Sequence, residues 1–335
     1  MNRIADVTLP PLPSFADVLD ARDRLHDVAI QTPLVESVVL NDRVGGRVLL
    51  KCESLQRTGS FKFRGAYTAI SRLDADTRAK GVVACSSGNH AQGVASAAEL
   101  FGVPATIVMP EDAPKVKIAG TRGYGADVRL YKRDGEDRVA IAKSIAADTG
   151  SSFISPFDHP DTISGQGTCG LEIADALAAR DLVPDAVLIC CSGGGLAAGI
   201  GLVMAERFPN APLYTVEPAD FDDFKRSLNA GHRLAVEGTP SSICDALLVR
   251  EPGELTFTLN QHLGFGGLSV TDDEVRAAVR FAFETLKLVV EPGGAVALAA
   301  VLTGKIDTKG KTIVATLSGG NVDRETFCEI VTDVD

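Results

Sequence analysis

No apolar run in this 335-residue chain approaches the ~18 residues that a helix needs to cross a bilayer, which excludes a helical membrane span. The seven cysteines include no CxxC pair, so they do not read as a disulfide framework or a zinc site. Basic charge is in deficit: 33 Lys and Arg stand against 44 Asp and Glu, a formal net charge of −11. So acidic a surface repels polyphosphate, and neither nucleic acid nor an anionic membrane is an expected partner. The opening residues, MNRIADVTLPPLPSF, lack the apolar core of a secretory signal, so a cytoplasmic location is expected. The absence of G-x-x-x-x-G-K-[ST] excludes a P-loop. Internal repeats and low-complexity tracts are also missing, although the first dozen residues, rich in proline at 10–13, read as a loose arm.

What is there is an ordinary globular composition, 45% apolar and 23% charged. The length suits two domains of roughly 100–200 residues. Short β-branched runs alternate with alanine-rich stretches, the pattern of an α/β fold. Strands are expected at 47–53, 81–87, 105–110, 126–131, 184–192, 212–218 and 311–319. Ala186–Cys191 and Thr312–Leu317 are apolar nearly throughout, as suits strands of a parallel sheet covered on both faces. Apolar positions at three- and four-residue spacing predict helices over 66–73, 91–101, 136–148, 167–179, 196–208, 271–287 and 294–303. Thr271 followed by Glu274 is a capping box for the sixth of these. The charged, Gly- and Pro-bearing region 218–268 reads as loop between two well-patterned blocks.

Four glycine-bearing turns border these elements: SSGNHAQG at 86–93, SGGGLAAG at 192–199, EPGGAVAL at 291–298 and SGGN at 318–321. Glycine lets backbone N–H groups come close to a ligand, and a helix N-terminus adds partial positive charge. The 192–199 turn, between a strand and a helix, is the best anion site; the same turn also fits a tight connection with nothing bound. It carries a second reading, because Gly193–Ala198 fits G-x-G-x-x-A and Glu217 closes the next strand at the spacing of a ribose-binding acid. That reading implies a nicotinamide-dependent oxidoreductase, yet the unit lies mid-chain and no hydride-transfer pairing accompanies it.

Lys62 stands between Phe61 and Phe63 at the entry to a helix. Desolvation and the positive end of a helix both lower a lysine pKa and favour the neutral amine that forms Schiff bases. Read bare, the same lysine also fits a snorkelling surface residue. The surrounding blocks decide between these. LQRTG, SFKFRGA, SSGNHAQG, SGGGLAAG, VEP, EPGGA and SGGN occur in order between Leu34 and Val322. Together they resemble the threonine dehydratase and serine racemase family, fold-type II enzymes that use pyridoxal 5′-phosphate.

The resemblance implies two open, twisted, mostly parallel sheets flanked by helices, with the active site between two domains. Residues 1–80 and 158–335 would form the large domain and 81–157 the small one. The pattern is complete by Val322, so a C-terminal effector domain is not expected. It further implies that Lys62 carries the cofactor, with Phe61 packed beside the ring. The amides of Gly193, Gly194, Gly195 and Leu196 would cradle the phosphate, Asn89 would bond the ring hydroxyl, and Ser318 would face the pyridine nitrogen. Glu291 matches a residue lining the cofactor pocket. Ser86, Ser87, Gly88, Asn89 and His90 would take the substrate carboxylate, and Ser87 matches the hydroxyl that stands across the ring in racemising members. That hydroxyl fits a role in carboxylate binding alone as well as a proton-transfer role.

One departure is Ser192, where many members have glycine; it should sit at negative φ or touch the phosphate. In members that bind a divalent cation, a Glu, a carbonyl four residues on and an Asp six residues on are ligands. Glu217, Phe221 and Asp223 have that spacing, and their oxygen donors suit Mg2+ or another hard cation; the stretch also fits a solvated acidic loop. The implied reaction is β-elimination from a β-hydroxy amino acid, L-threonine or L-serine first. 3-Hydroxyaspartate dehydration and serine racemisation are alternatives on the same scaffold, and a non-catalytic amino-acid-binding homologue is the alternative of another class. Arg138 is where related enzymes reach a second carboxylate, although its acidic neighbours also fit a solvated helix residue. A homodimer or homotetramer is the family habit.

Cys190 and Cys191, within an apolar run, read as buried small hydrophobes.

Overall fold

The computed structural model describes residues 10–113 and 115–332. Ten strands follow in chain order: β1 (Leu34–Glu36), β2 (Arg47–Cys52), β3 (Val82–Cys85), β4 (Ala105–Pro110), β5 (Asp127–Tyr131), β6 (Ser152–Phe153), β7 (Ala186–Cys190), β8 (Leu213–Pro218), β9 (Gly266–Val270) and β10 (Thr312–Leu317). They form a six-stranded sheet, ordered β1-β2-β10-β7-β8-β9, and a four-stranded sheet, ordered β5-β4-β3-β6. Every pairing is parallel except β1 with β2.

The apolar runs are buried on both faces because alternate residues serve different cores. Val48, Leu50, Leu188, Cys190, Ile313 and Ala315 enter one cluster, while Leu49, Val187, Ile189 and Val314 enter another on the opposite side. The smaller sheet divides in the same way. Val82, Ala84, Ile107 and Met109 face one layer; Val83, Cys85 and Val108 face the other.

All seven strands expected from the sequence are present, with ends shifted by a residue or two, and the capping box of Thr271 and Glu274 forms. The region 218–268 departs from expectation: it holds helices Asp223–Ala230 and Glu254–His262 and then β9. Their apolar positions are few and interrupted, and tertiary cover supplies what local pattern does not. Phe224 and Phe257 pack together beneath Cys191, and β9 pairs along β8. The helix expected from residue 167 begins at Pro160, with His159 as its N-cap. Most of the proline-rich arm lies outside the described residues.

Two helices bring the sheets together. Lys62–Arg72 follows the strand segment of the six-stranded sheet, yet its Phe63, Ala66, Ala69 and Ile70 lie in the core of the four-stranded one. It crosses helix Pro160–Ala178 at Gly65 and Gly165, where a Cβ on Gly165 would stand 2.6 Å from the Arg64 carbonyl oxygen. Only glycine permits that approach. The carboxyl ends of β2, β3, β7 and β10 therefore open toward one crevice, where α/β sheets place their ligands.

Candidate active site

A cavity of about 360 Å³ lies in this crevice. Its wall gathers segments far apart in the chain: Phe61 and Lys62, 85–90, 156–157, 190–196, 245–249, Glu291 and Ser318. The catalytic, cofactor and substrate candidates of the sequence reading, Lys62, Phe61, Ser86–His90, Gly193–Leu196, Glu291 and Ser318, thus all line one space. Arg133 and Arg138 line it too.

Lys62 is the first residue of its helix, which lacks a side-chain N-cap. Arg64 fixes the helix entry instead. Its Nε donates to Glu53 Oε2 at 2.8 Å and its Nη1 to Glu172 Oε1 at 2.6 Å, with Arg64 and Glu53 fully buried. The Lys62 amine donates to the Pro156 carbonyl at 2.8 Å and lies 5.1 Å from the centre of the Phe61 ring. Burial draws its pKa down to about 8, against the opposing charge of Glu291. A buried lysine in a cavity wall that gives up its proton more readily than a hydrated one is a nucleophile in waiting.

Opposite, the helix Gly195–Arg207 starts behind Gly194, which has φ +88° and no side-chain cap. The first N–H groups of a helix have no intrahelical acceptor, so an uncapped start is ready for an anion. The turn is held from behind: Thr256 Oγ1 donates to the Gly193 carbonyl at 2.6 Å, and Asn260 Nδ2 to the Gly194 carbonyl at 3.2 Å. A Cβ on Gly193 would overlap the Phe157 ring, and one on Gly194 the Phe224 ring. Ser192 is absent from the left-handed region, as expected of it, and its Oγ accepts from the Val249 N–H at 3.4 Å.

Asn89 sits in a chain of amides and carboxylates. Its Nδ2 donates to Glu291 Oε1 at 2.5 Å, while its Oδ1 accepts from Asn321 Nδ2 at 2.9 Å. Burial pushes the Glu291 carboxyl up to about 7, with Lys117 pulling the other way, and Glu291 Oε2 has no hydrogen-bond partner. His90 is buried; its Nε2 donates to the Ile154 carbonyl at 2.9 Å. Desolvation, then the charge of Lys62, drop its pKa to about 3, so the ring is neutral. The Ser86 hydroxyl accepts from the Gly88 N–H at 3.2 Å, which shapes the loop.

Glu217, Phe221 and Asp223 stand apart from the cavity lining. Glu217 is fully buried and accepts from the N–H groups of Phe224 at 3.0 Å and Lys225 at 2.8 Å. A carboxylate held this way is not presented to a ribose at the 193–198 turn, which removes the nicotinamide reading. Burial, then the charge of Asp223, push the Glu217 carboxyl well up; burial raises Asp223 to about 7. Asp223 Oδ2 is buried without a partner. Among the described residues no group of three or more His, Cys, Asp or Glu side chains is arranged to hold a metal, and Phe221 could join the pair only through its carbonyl.

Several site residues carried no sequence signal. Lys117 lies between Val116 and Ile118 with Lys115 close by, and Phe157 follows a proline, neither in a motif that points to a ligand. Asn321 closes the SGGN block, in which the resemblance implies a role for Ser318 alone. Spatial approach alone reveals them.

A family model described as pyridoxal-phosphate dependent enzyme matches residues 25–319. The chain is 41% identical over 320 residues to an L-threo-3-hydroxyaspartate ammonia-lyase of Saccharomyces cerevisiae, covering 96% of this chain and 97% of that protein. It is 42% identical over 312 residues to an L-threonine ammonia-lyase of Thermotoga maritima, covering 92% and 76%. Among solved structures, a maize serine racemase superposes with a TM-score of 0.90 at 33% identity, covering 95% of this chain and 97% of that one. Among the described residues no helix is long and apolar enough to cross a membrane.

Proposed function

Because the chain belongs to the pyridoxal-phosphate dependent enzymes, we propose that it is an ammonia-lyase. It would eliminate the β-hydroxyl of L-threonine or L-serine, releasing a 2-oxo acid and ammonia. The observation that carries the proposal is the desolvated Lys62 amine in the same cavity as the uncapped helix start at Gly194. Lys62 would hold the cofactor covalently, the N–H groups of Gly193–Leu196 its phosphate, Asn89 its ring hydroxyl and Ser318 its ring nitrogen, with Phe61 and Glu291 beside it. Bound there, pyridoxal phosphate supplies the electron sink that lets the Cα–H bond break.

The remaining work belongs to the chain. The Ser86–His90 loop would seat the substrate carboxylate, orienting the Cα–H toward the Lys62 amine. That amine, once released from the cofactor, would take the proton as general base. Ser318 would offer the ring nitrogen a neutral hydroxyl rather than a carboxylate, which would make the group a weaker electron sink and favour loss of the β-substituent. His90, neutral and bonded to Ile154, holds the loop and contributes no charge. Ser87, in the lining of the same cavity, would deliver a proton to the other side of Cα, opening a path to serine racemisation.

A second reading, 3-hydroxyaspartate as substrate, is favoured by Arg133 and Arg138 in the cavity wall. Arg133 is already bonded to Asp112 at 2.8 Å, which leaves Arg138, half-buried, as the better partner for a side-chain carboxylate. We also read Glu217, the Phe221 carbonyl and Asp223 as ligands of a divalent cation: two carboxyls buried together, one oxygen orphaned, fit a missing positive charge. A homo-oligomer and a cytoplasmic location complete the proposal.

The test is a visible spectrum of the purified protein before and after borohydride, then initial rates over L-threonine, L-serine and the 3-hydroxyaspartate isomers. A reducible cofactor band and faster deamination of threonine or serine are expected. A strong preference for 3-hydroxyaspartate would move the assignment to the second reading, and a colourless inert protein would overturn both.

A further inference from the structure

The Ser86–His90 loop has a gap in its chemistry. Its hydroxyls, amide and backbone N–H groups can hydrogen-bond a carboxylate, but the loop contains no cation, and His90 is neutral. A carboxylate leaving water for a partly closed cavity needs a charge partner as well as donors. Four cations line the cavity: Lys62, Lys117, Arg133 and Arg138. Lys62 is committed to the reacting centre, and Arg133 is exposed and paired with Asp112.

Lys117 is different. It comes from helix Lys115–Gly123, is almost wholly buried, and lies against the loop itself. A Cβ built on Gly88 would stand 2.8 Å from Lys117 Cδ and 3.3 Å from its Nζ, so the absence of a side chain at 88 is what admits the ammonium. Despite burial, the charges of Glu291 and Asp245 keep Lys117 protonated, its pKa above the usual lysine value. Asp323 adds to that field.

The two neighbours are unequal. Lys117 Nζ bonds Asp245 Oδ2 at 2.5 Å but stands 3.8 Å from Glu291 Oε2. Glu291 is sealed in the interior, whereas the Asp245 side chain is 41% exposed. Asp245 can therefore return to water at low cost, while Lys117 cannot. Resting on the ammonia-lyase reading above, we infer that Lys117 is the charge partner of the substrate α-carboxylate and that Asp245 holds its place until substrate arrives. Substrate binding then exchanges one carboxylate for another at the same ammonium, with no net charge brought into the cavity and no bond made or broken covalently.

The experiment titrates holoenzyme with two amines that have no leaving group, L-alanine and ethylamine, following the cofactor band. They differ only in the carboxylate. Lys117→Gln is expected to weaken L-alanine at least about tenfold while leaving ethylamine unchanged. Lys117→Arg should recover part of the loss. Asp245→Asn should bind L-alanine as tightly as the parent or more so. If Asp245→Asn and Lys117→Gln weaken L-alanine alike, the pair is a structural latch and the inference is overturned; equal weakening of ethylamine overturns it as well. Should Lys117→Gln not accumulate as folded protein, Asp245→Asn decides alone, weaker L-alanine binding counting against. Absence of any band shift with ethylamine in the parent protein would instead sink the cofactor reading.

Discussion

Lys62 Nζ and the carbonyl oxygen of Pro156 lie 2.8 Å apart, and this bond ties the two halves of the cavity to each other. The residue after Pro156 is Phe157, whose ring fills the space that a side chain on Gly193 would need. The amine and the helix start that would take the two ends of one cofactor are thus set at a fixed separation by a single turn of chain. Asp158 continues the brace, accepting from the N–H groups of Leu255 at 2.9 Å and Thr256 at 3.1 Å.

Lys62 gives the first prediction. With its pKa drawn to about 8, the neutral amine is scarce at pH 7 and dominant above pH 9. The rate at which apoenzyme captures the cofactor aldehyde should rise about fivefold between pH 7 and 8 and level off above 9. Stopped-flow absorbance measures it. A rate still climbing at pH 10 would mean an ordinary, hydrated lysine. Lys62→Ala should remove the reducible band and lower kcat/KM at least about 1,000-fold without unfolding the protein.

At Gly193 a single methyl group is the probe. Gly193→Ala must displace the Phe157 ring, an overpacking that costs about 1–3 kcal/mol. Because Phe157 adjoins the carbonyl that holds Lys62, the expected result is cofactor loss, about tenfold or more in dissociation constant. Equilibrium dialysis against pyridoxal phosphate reads this out, and Phe157→Leu in the same chain should restore part of the affinity.

For Ser87 the prediction is a split between two products. Ser87→Ala should suppress formation of D-serine from L-serine more than deamination of L-threonine, if the hydroxyl moves a proton. Chiral chromatography and a 2-oxo acid assay on the same samples give the ratio. Equal loss of both would reduce Ser87 to a carboxylate ligand.

The acidic pair makes a prediction about stability. Asp223 has its pKa raised from 3.8 to about 7, so without a cation the folded state holds its proton where the unfolded chain does not. That contribution favours the folded state at low pH and is lost as pH rises from about 4 through 7. Chelator-treated protein should therefore show a melting temperature that falls across this interval. Added Mg2+ should flatten the decline above pH 6, and Glu217→Gln should abolish the response to Mg2+. Coincident profiles with chelator and with Mg2+ would remove the cation.

Much of the site was legible because its parts are local. A strand ending in glycines before a helix, or a lysine between aromatics at a helix entry, carries its chemistry within a few residues, which marked Gly193–Leu196 and Lys62; the family resemblance of the ordered blocks chose between the readings of Lys62 and alone gave Asn89 its role. Region 218–268 was not legible: its helices carry few apolar positions, and cover from remote segments makes them stable, Phe224 and Phe257 packing with Cys191 and Leu255 and Leu259 with Ile163 and Ala198. Lys117, Phe157 and Asn321 act through neighbours more than 30 positions away in the chain: Asp245, Gly193 and Asn89.

By itself the sequence determined an α/β chain with doubly buried parallel strands, a set of glycine turns and the lysine among them, since hydrophobic periodicity and backbone freedom are properties of neighbouring residues. Only the tertiary structure decided that these turns share one cavity, that Arg64 rather than a cap anchors the Lys62 helix, and that Glu217 is locked away from the cavity. Those facts depend on desolvation and on distances between segments remote in the chain, and neither quantity exists until the two sheets have closed on each other.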